Sequence, residues 1–95
     1  MKISDFQDLM KELYIQRDKA RGTEKTMLWF ISEVGELSEA IRLNKLEKIA
    51  EEMADVLAWL CSIANLTKIN LETAVLEKYP GLCSRCNSKP CECDS

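Results

Sequence analysis

Four carboxylates in the sequence form two pairs with the same spacing. Glu33 and Glu36 are three residues apart, and Glu52 and Asp55 repeat that separation further along the chain. On a helix, residues three apart lie on one face. If the two segments form antiparallel helices joined by a short connection near Asn44, all four carboxylates come together. Oxygen ligands in a chain without histidine favour Mg²⁺ or Mn²⁺, and these ions support phosphoanhydride hydrolysis.

The residues around these carboxylates indicate partial burial. The apolar stripe predicted for the first acidic helix consists of Met27, Phe30, Ile31, Val34, Leu37 and Ile41. The first acidic pair flanks this stripe beside Trp29, and the second pair shares a helix face with Trp59. We therefore expect both pairs to be half-buried, which is costly for ionised groups unless their pKa values rise or a cation binds. Acidic residues with this spacing are also common as solvated charges, so spacing alone leaves both interpretations open.

Composition favours a small helical protein. The chain has 95 residues, 46% of them hydrophobic, and a net charge of −3, which is unlike a basic nucleic-acid-binding surface. A small phosphorylated ligand remains compatible, because a divalent cation mediates between carboxylates and phosphates. The first ten residues lack the apolar core of a signal peptide, and the most apolar run, 56–66, is too short to span a bilayer. We expect a soluble cytoplasmic protein that binds neither membranes nor nucleic-acid polymers.

Periodicity and capping residues predict an all-α fold without strands. The four helices are expected over about 4–19, 23–43, 45–67 and 71–78. The residues expected to begin them are Ser4, Thr23, Asn44 and Asn70. We expect a helical domain over residues 1–79 and a cysteine-rich tail over residues 80–95.

Segment 56–66 of the third helix is apolar on almost every side, which indicates burial on more than one face. A helical body of this size has little interior in which to bury such a helix. We therefore expect a homodimer or homotetramer, in which a helical bundle is completed across subunits.

The two acidic segments together resemble a family signature. EVGELSEA at residues 33–40 followed by EEMADVLAWL at residues 51–60 is similar to the E-x-x-E and E-x-x-D motifs of the MazG-like nucleotide pyrophosphohydrolases. The similarity extends over about residues 21–79, and the segment 78–93 resembles the cysteine-rich ending of some small members. The resemblance implies a four-helix fold and Mg²⁺ (or Mn²⁺) ligation by Glu33, Glu36, Glu52 and Asp55. It also implies attack of activated water on a nucleoside or deoxynucleoside triphosphate, releasing the monophosphate and pyrophosphate.

Two other functions stay open at this point. Phosphoribosyl-ATP pyrophosphohydrolases share the four-helix scheme, and the acidic motif does not separate them from the MazG-like enzymes. A non-catalytic module that binds a metal or a nucleotide is the alternative from a different class.

Further residues are candidates for binding the nucleotide. Lys25 matches a basic position in relatives, and Lys78 is the cation that the last helix offers to phosphate. The alternative for each is a solvated lysine with no role in binding. We interpret Lys48, near the helix connection, as a solvated charge of this kind. Trp29 and Trp59 could stack on a base, or they fill the core or an interface.

The tail contains the motifs Cys83-x-x-Cys86 and Cys91-x-Cys93. Four thiolates so close in sequence indicate a tetrahedral zinc site, with disulfides or an unliganded tail as alternatives. Four protein ligands leave no open coordination position, so such a site is structural. Cys61, in an apolar helix, is predicted to be a core residue.

Overall fold

The computed structural model describes residues 1–94 and contains four helices. These are α1 Ile3–Arg21, α2 Thr23–Arg42, α3 Leu46–Thr67 and α4 Leu71–Lys78. No strand occurs among these residues, so the predicted all-α class with four helices is confirmed. The final residue of the predicted tail, Ser95, lies outside the described residues.

Two of the predicted capping residues, Asn70 and Thr23, have opposite outcomes in the structure. Asn70 caps α4 as expected, because its side chain accepts the backbone N–H of Thr73 at 2.9 Å. The prediction for Thr23 is wrong, since Gly22 precedes α2 with a φ of 88°. The Gly22 N–H also donates to the Asp18 carbonyl at the end of α1. Glycine adopts this positive φ at little cost, so one residue ends α1 and begins α2.

The predicted starts at Ser4 and Asn44 are also wrong. Helix α1 begins after Lys2, and Ser4 lies inside its first turn. There the Ser4 N–H and hydroxyl both donate to Oε1 of Glu72 on α4, at 3.2 and 3.3 Å. Helix α3 begins after Lys45, because Asn44 adopts a left-handed φ of 53° in the turn. Tertiary contacts and turn geometry, rather than local caps, decide these two positions.

Helices α2 and α3 form an antiparallel pair, connected by residues 43–45. Trp29 stacks on Trp59 near one end of the pair, and Glu36 meets Glu52 closer to the connection. As residue number rises along α2 it falls along α3, as an antiparallel register requires. Helix α1 packs mainly on α3, and α4 contacts α1.

A buried glutamine fastens α1 to the turn between α3 and α4. The Gln7 amide nitrogen donates to Asn65 Oδ1 at 3.1 Å and to the Ile69 carbonyl at 2.7 Å. Its amide oxygen accepts the N–H of Leu71 at 2.9 Å, at the first residue of α4. These bonds satisfy polar groups of the chain reversal that would otherwise be buried without partners.

The hydrophobic core of the single chain is small. The buried hydrophobic residues in the part of the chain that the structure describes are Met10, Ala40, Cys61 and Ala64. Cys61 is fully buried, which confirms its predicted place in the core. Within residues 1–94, no helix combines the length and apolarity needed to cross a bilayer.

The apolar stripe predicted as the core side of α2 is largely exposed in the single chain. Met27, Ile31, Val34 and Ile41 keep between 41% and 54% of their surface accessible. The reason is that α2 buries the neighbouring face, which carries Thr26 and Ala40.

The exposed stripe of α2 continues onto α3. On α3 the exposed residues Met53, Leu57 and Leu60 each follow by one position a less exposed residue, namely Glu52, Val56 and Trp59. A step of one residue turns the side chain by about 100° around a helix. In an antiparallel pair that rotation carries both stripes to the same side. The helix pair thus has one continuous apolar face, which we call the α2–α3 face: Met27, Ile31, Val34 and Ile41 together with Met53, Leu57 and Leu60.

Candidate functional site

Three of the four predicted carboxylates meet in the antiparallel pair. One carboxylate oxygen from each of Glu33, Glu36 and Glu52 lies within 4.8 Å of the others. Helix α2 provides two of these residues from successive turns, and α3 provides the third. Asp55 lies outside this trio but close enough for its charge to raise the pKa of Glu33 and Glu52. We call these four residues the carboxylate cluster.

Burial within the carboxylate cluster is uneven. Glu52 is buried and Glu33 is half-buried, whereas Glu36 and Asp55 are exposed. The prediction that all four carboxylates are half-buried is therefore confirmed for Glu33 and wrong for Glu36, Glu52 and Asp55. The reason is that each helix turns one of its two carboxylates inward and the other towards solvent. Oε2 of Glu33 and Oε2 of Glu52 are buried and have no hydrogen-bond partner among the described residues. Buried carboxylate oxygens without partners are costly, and a bound cation would remove that cost.

Burial and mutual repulsion raise two of these pKa values. The pKa of Glu33 rises from 4.5 to about 7, first through burial, then through the neighbouring carboxyl group of Glu36 and the charges of Asp55 and Glu52. The pKa of Glu52 is also raised, again by burial first and then by Glu36 and Asp55. Lys48 opposes this shift, with its Nζ 4.0 Å from Glu52 Oε1. A set of oxygen donors that repel one another suits a hard divalent cation such as Mg²⁺ or Mn²⁺.

An open cavity adjoins the carboxylate cluster near the α2–α3 connection. It has a volume of about 900 Å³, and Glu36 and Glu52 form part of its wall. Lys45 and Lys48 line the same cavity. Lys48, interpreted from the sequence as a solvated charge, is exposed but also faces this acidic wall. The wall also includes Glu39, Glu47 and Glu51, so it is acidic overall and its two lysines lie among carboxylates.

A second, smaller cavity adjoins the cluster on the α1 side. It has a volume of about 310 Å³ and includes Asp55 and Trp59 together with Arg17, Asp18 and Arg21 of α1. An aromatic ring and two guanidinium groups thus lie next to the carboxylate that is outside the trio.

The two candidate stacking residues contact each other. The ring centroids of Trp29 and Trp59 are 6.0 Å apart and their planes are 15° from parallel. Arg21 lies over the Trp59 ring, with its Cζ 4.8 Å from the centroid. Trp29 is 53% exposed, so it is the tryptophan with more surface left for a ligand.

Asp18, Arg21 and Thr26 form a buried polar network that sequence reasoning missed. Arg21 donates to Asp18 Oδ1 at 3.0 Å and to Thr26 Oγ1 at 3.2 Å, and the Thr26 hydroxyl donates to the Gly22 carbonyl. Asp18 is 1% exposed, and its Oδ2 has no partner in the described part of the chain. A signal was present, because Asp18 and Arg21 lie at helical spacing from buried Met10. The apolar residues of α1 by themselves do not indicate this network.

The two lysines proposed from the sequence lie elsewhere. Lys25 is exposed in the first turn of α2. Lys78 is exposed at the end of α4, with its Nζ 5.8 Å from the Tyr79 ring centroid. Neither is among the residues that line the two cavities. Their phosphate contacts stay predictions.

The tail brings its four cysteines together in a second cluster. The Sγ atoms of Cys83, Cys86, Cys91 and Cys93 all lie within 4.8 Å of one another, and all four thiols are free. Backbone N–H groups, that of Glu92 first, lower the pKa of Cys86 to about 6. The thiols of the other three cysteines, that of Cys91 first, raise the pKa of Cys93 to about 11. Cys86 therefore loses its proton readily and Cys93 keeps its proton, as expected when several thiols lie close together without a cation between them.

Comparison with known families agrees with this architecture. The profile of the MazG nucleotide pyrophosphohydrolase domain matches residues 21–87, which include both acidic helices and the first two tail cysteines. The match covers more than half of the chain, so the protein belongs to the MazG nucleotide pyrophosphohydrolase family. Membership indicates nucleotide pyrophosphohydrolase chemistry in general. A comparison with curated proteins finds no match to this chain.

Proposed function

We propose that this protein is a Mg²⁺-dependent nucleoside triphosphate pyrophosphohydrolase, which cleaves between the α and β phosphates. The products are a nucleoside or deoxynucleoside monophosphate and pyrophosphate. One observation carries the proposal: carboxylate oxygens of Glu33, Glu36 and Glu52 converge from two helices, and two of these residues have buried oxygens without partners. Membership in the family supports the same reaction.

The carboxylate cluster is the proposed metal site, held by Glu33, Glu36, Glu52 and Asp55. Mg²⁺, or Mn²⁺ in its place, supplies positive charge for the phosphate oxygens and lowers the pKa of a bound water. The protein's part is to hold four oxygen donors in place before the nucleotide arrives. Glu33 must also lose a proton to act as a ligand, and with a pKa of about 7 it does so close to neutral pH.

We propose one orientation of the nucleotide relative to the two cavities. The larger cavity has a mainly acidic wall with Lys45 and Lys48 in it, so a bound divalent cation together with these lysines would hold the β and γ phosphates that leave as pyrophosphate. Trp59 lines the smaller cavity beside Asp55, which suits the nucleoside, and exposed Trp29 offers a further surface for the base. The bond to be cleaved then lies over the carboxylate cluster.

We further propose that the α2–α3 face is covered by a second copy of the chain. Its residues follow one another at steps of four, three and seven on α2 and of four and three on α3, as in helices that pack in a bundle. The small core of the single chain also favours a second copy, because a partner that buries this face would add apolar contact that the monomer lacks. A homodimer is sufficient to bury the α2–α3 face, and a homotetramer could be built from two such dimers.

Product analysis tests the reaction. Purified protein with Mg²⁺ is incubated with a panel of nucleoside and deoxynucleoside triphosphates and with phosphoribosyl-ATP, and pyrophosphate and monophosphates are measured. Pyrophosphate with monophosphate from a triphosphate supports the proposal. Release from phosphoribosyl-ATP alone would identify the alternative enzyme. Tight nucleotide binding by calorimetry without hydrolysis would indicate a non-catalytic binding module instead.

A further inference from the structure

The cysteine cluster is not used by the proposed reaction, and its geometry points to a metal of a different class. We propose that Cys83, Cys86, Cys91 and Cys93 hold one zinc ion, which fixes the fold of the tail, residues 80–94. The carboxylate cluster offers hard oxygen donors and the tail offers soft sulfur donors. This short chain therefore has two metal sites with opposite preferences.

The sulfur separations match a tetrahedral site. A zinc ion with four Zn–S bonds of about 2.3 Å has sulfurs about 3.8 Å apart. The Sγ atoms of Cys83 and Cys93 are 3.7 Å apart, and all four sulfurs lie within 4.8 Å of one another. A disulfide requires about 2.0 Å. Cys83 and Cys93 come from opposite ends of the tail, so this close approach closes the whole segment into a loop.

The backbone of the tail is arranged to present the first two cysteines in one turn. The Asn87 N–H donates to the Cys83 carbonyl at 2.9 Å, and the Cys83 N–H donates to the Ser88 carbonyl at 3.0 Å. Asn87 follows Cys86 directly and adopts a left-handed φ of 59°, which reverses the chain. The loop thus turns back on itself and brings the later cysteines towards the earlier pair.

Backbone N–H groups also point at the sulfurs. Cys83 Sγ accepts from Arg85 N–H at 3.5 Å, and Cys86 Sγ accepts from Glu92 N–H at 3.3 Å. Cys91 Sγ accepts from Cys93 N–H at 3.3 Å. Such donors stabilise sulfur in its anionic, metal-binding form and orient it as a ligand.

Apart from the backbone hydrogen bonds of its turn, residues 80–94 have little that would hold them in one conformation. Residues 80–94 contain no helix or strand, and Leu82 is 46% exposed. So short a segment cannot bury a hydrophobic core, and metal ligation is one of the few ways to hold it in a single conformation. The four thiolates fill the coordination sphere, so the ion is structural and leaves no position for a substrate.

Metal analysis of whole protein purified without chelator tests the proposal. We expect about one zinc ion per chain, coordinated by four cysteine sulfurs. Cys86→Ser and Cys93→Ser should each lose most of it, whereas Cys61→Ala, which removes the cysteine outside the tail, should keep it. Glu52→Gln should also keep it, which separates this site from the carboxylate cluster. Zinc retained by the tail variants, or absent from wild type even after addition of Zn²⁺ under reducing conditions, overturns the proposal.

Three further measurements do not depend on how the variants fold. Cobalt added to metal-free wild type should give the charge-transfer and visible bands of a tetrahedral thiolate complex. A zinc chelator should accelerate amide hydrogen exchange in residues 80–94 and leave α1 to α4 unchanged. Thiol titration of denatured, chelated protein should find all five cysteines free. Fewer thiols in protein purified without reductant, restored to five by addition of a reductant, would assign the cluster to disulfides instead.

Discussion

Trp29 and Trp59 stack with ring centroids 6.0 Å apart, and each lies one helical turn from a member of the carboxylate cluster. Trp29 precedes Glu33 by four residues on α2, and Trp59 follows Asp55 by four on α3. If one helix slipped by one turn along the other, the aromatic contact would be lost and the carboxylates would move apart at the same time. The stacked pair therefore sets the register in which the acidic residues meet.

Loss of one carboxylate should separate stability from activity. Glu36→Gln or Asp55→Asn removes a charge from a repulsive cluster, so the metal-free variants should be as stable as wild type or more stable. The same changes should reduce Mg²⁺-dependent hydrolysis by about 10²-fold or more. Added Mg²⁺ should raise the melting temperature of wild type much more than that of the variants. Glu24→Gln, an exposed acidic residue in the first turn of α2, is the control and should behave as wild type. Full activity in the Glu36 and Asp55 variants would contradict the proposed metal site.

The stability of the metal-free protein should fall as pH rises from about 4.5 to about 7. The pKa of Glu33 is raised on folding, so the folded state holds a proton that the unfolded chain releases in this range. Its stabilising contribution is complete below the ordinary pKa of 4.5 and is lost as pH rises through about 7. Thermal unfolding at several pH values measures the slope, and Glu33→Gln should make it shallower. An unchanged slope in that variant would show that Glu33 does not carry the proton.

Mg²⁺ affinity should change with pH in the opposite direction. A proton on Glu33 competes with the cation, so Mg²⁺ binding should tighten as pH rises through about 7. Calorimetric titration of Mg²⁺ in buffers of different ionisation enthalpy would count the protons released. Binding that is independent of pH between about 5 and 8 would exclude Glu33 from the ligands.

The α2–α3 face should control assembly. Leu57→Glu places a charge at its centre, where a second copy would bury it without a partner, and should convert an oligomer to a monomer in light scattering. Leu76→Glu is the matched control, because Leu76 is 60% exposed on α4 and outside this face. Its oligomeric state should be that of wild type. Monomeric wild-type protein at micromolar concentration would rule out the proposed assembly.

Lys48 should contact the leaving group. If the β and γ phosphates occupy the larger cavity, Lys48→Met should weaken inhibition by pyrophosphate about tenfold, which corresponds to about 1.4 kcal/mol. Inhibition by the nucleoside monophosphate should change little, since the nucleoside lies on the Trp59 side. Lys68→Met, at the far end of α3, is the control. Equal weakening of both inhibitors would argue against this orientation.

Gln7 should be a major source of stability. Gln7→Leu removes partners from Asn65, the Ile69 carbonyl and the Leu71 N–H, so it should destabilise the protein by about 2 kcal/mol or more. For a chain of this length that corresponds to a fall of roughly 10 °C in Tm. Gln16→Leu, on an exposed part of α1, should change stability by no more than about 0.5 kcal/mol. A similar Tm for the two variants would show that the Gln7 bonds contribute little.

Much of the site followed from the sequence because helix geometry is local. Two acidic pairs at a spacing of three, a short connection near Asn44 and a cap at Asn70 were sufficient to predict four helices with the carboxylates facing one another. The burial of Cys61 followed in the same way from its apolar neighbours. The position of the four tail cysteines in one cluster followed from their closeness in the chain.

Only the tertiary structure decided which helix faces are covered. Periodicity shows that Met27, Ile31 and Val34 share a face of α2, but the face against the neighbouring helices is the adjacent one. For the same reason Glu52 is buried while Asp55, on the next turn, is exposed. The Asp18–Arg21 pair likewise depends on where α1 lies against α3. A repeat of 3.6 residues specifies which side chains point together, whereas the packing of one helix against another determines which of them leave water.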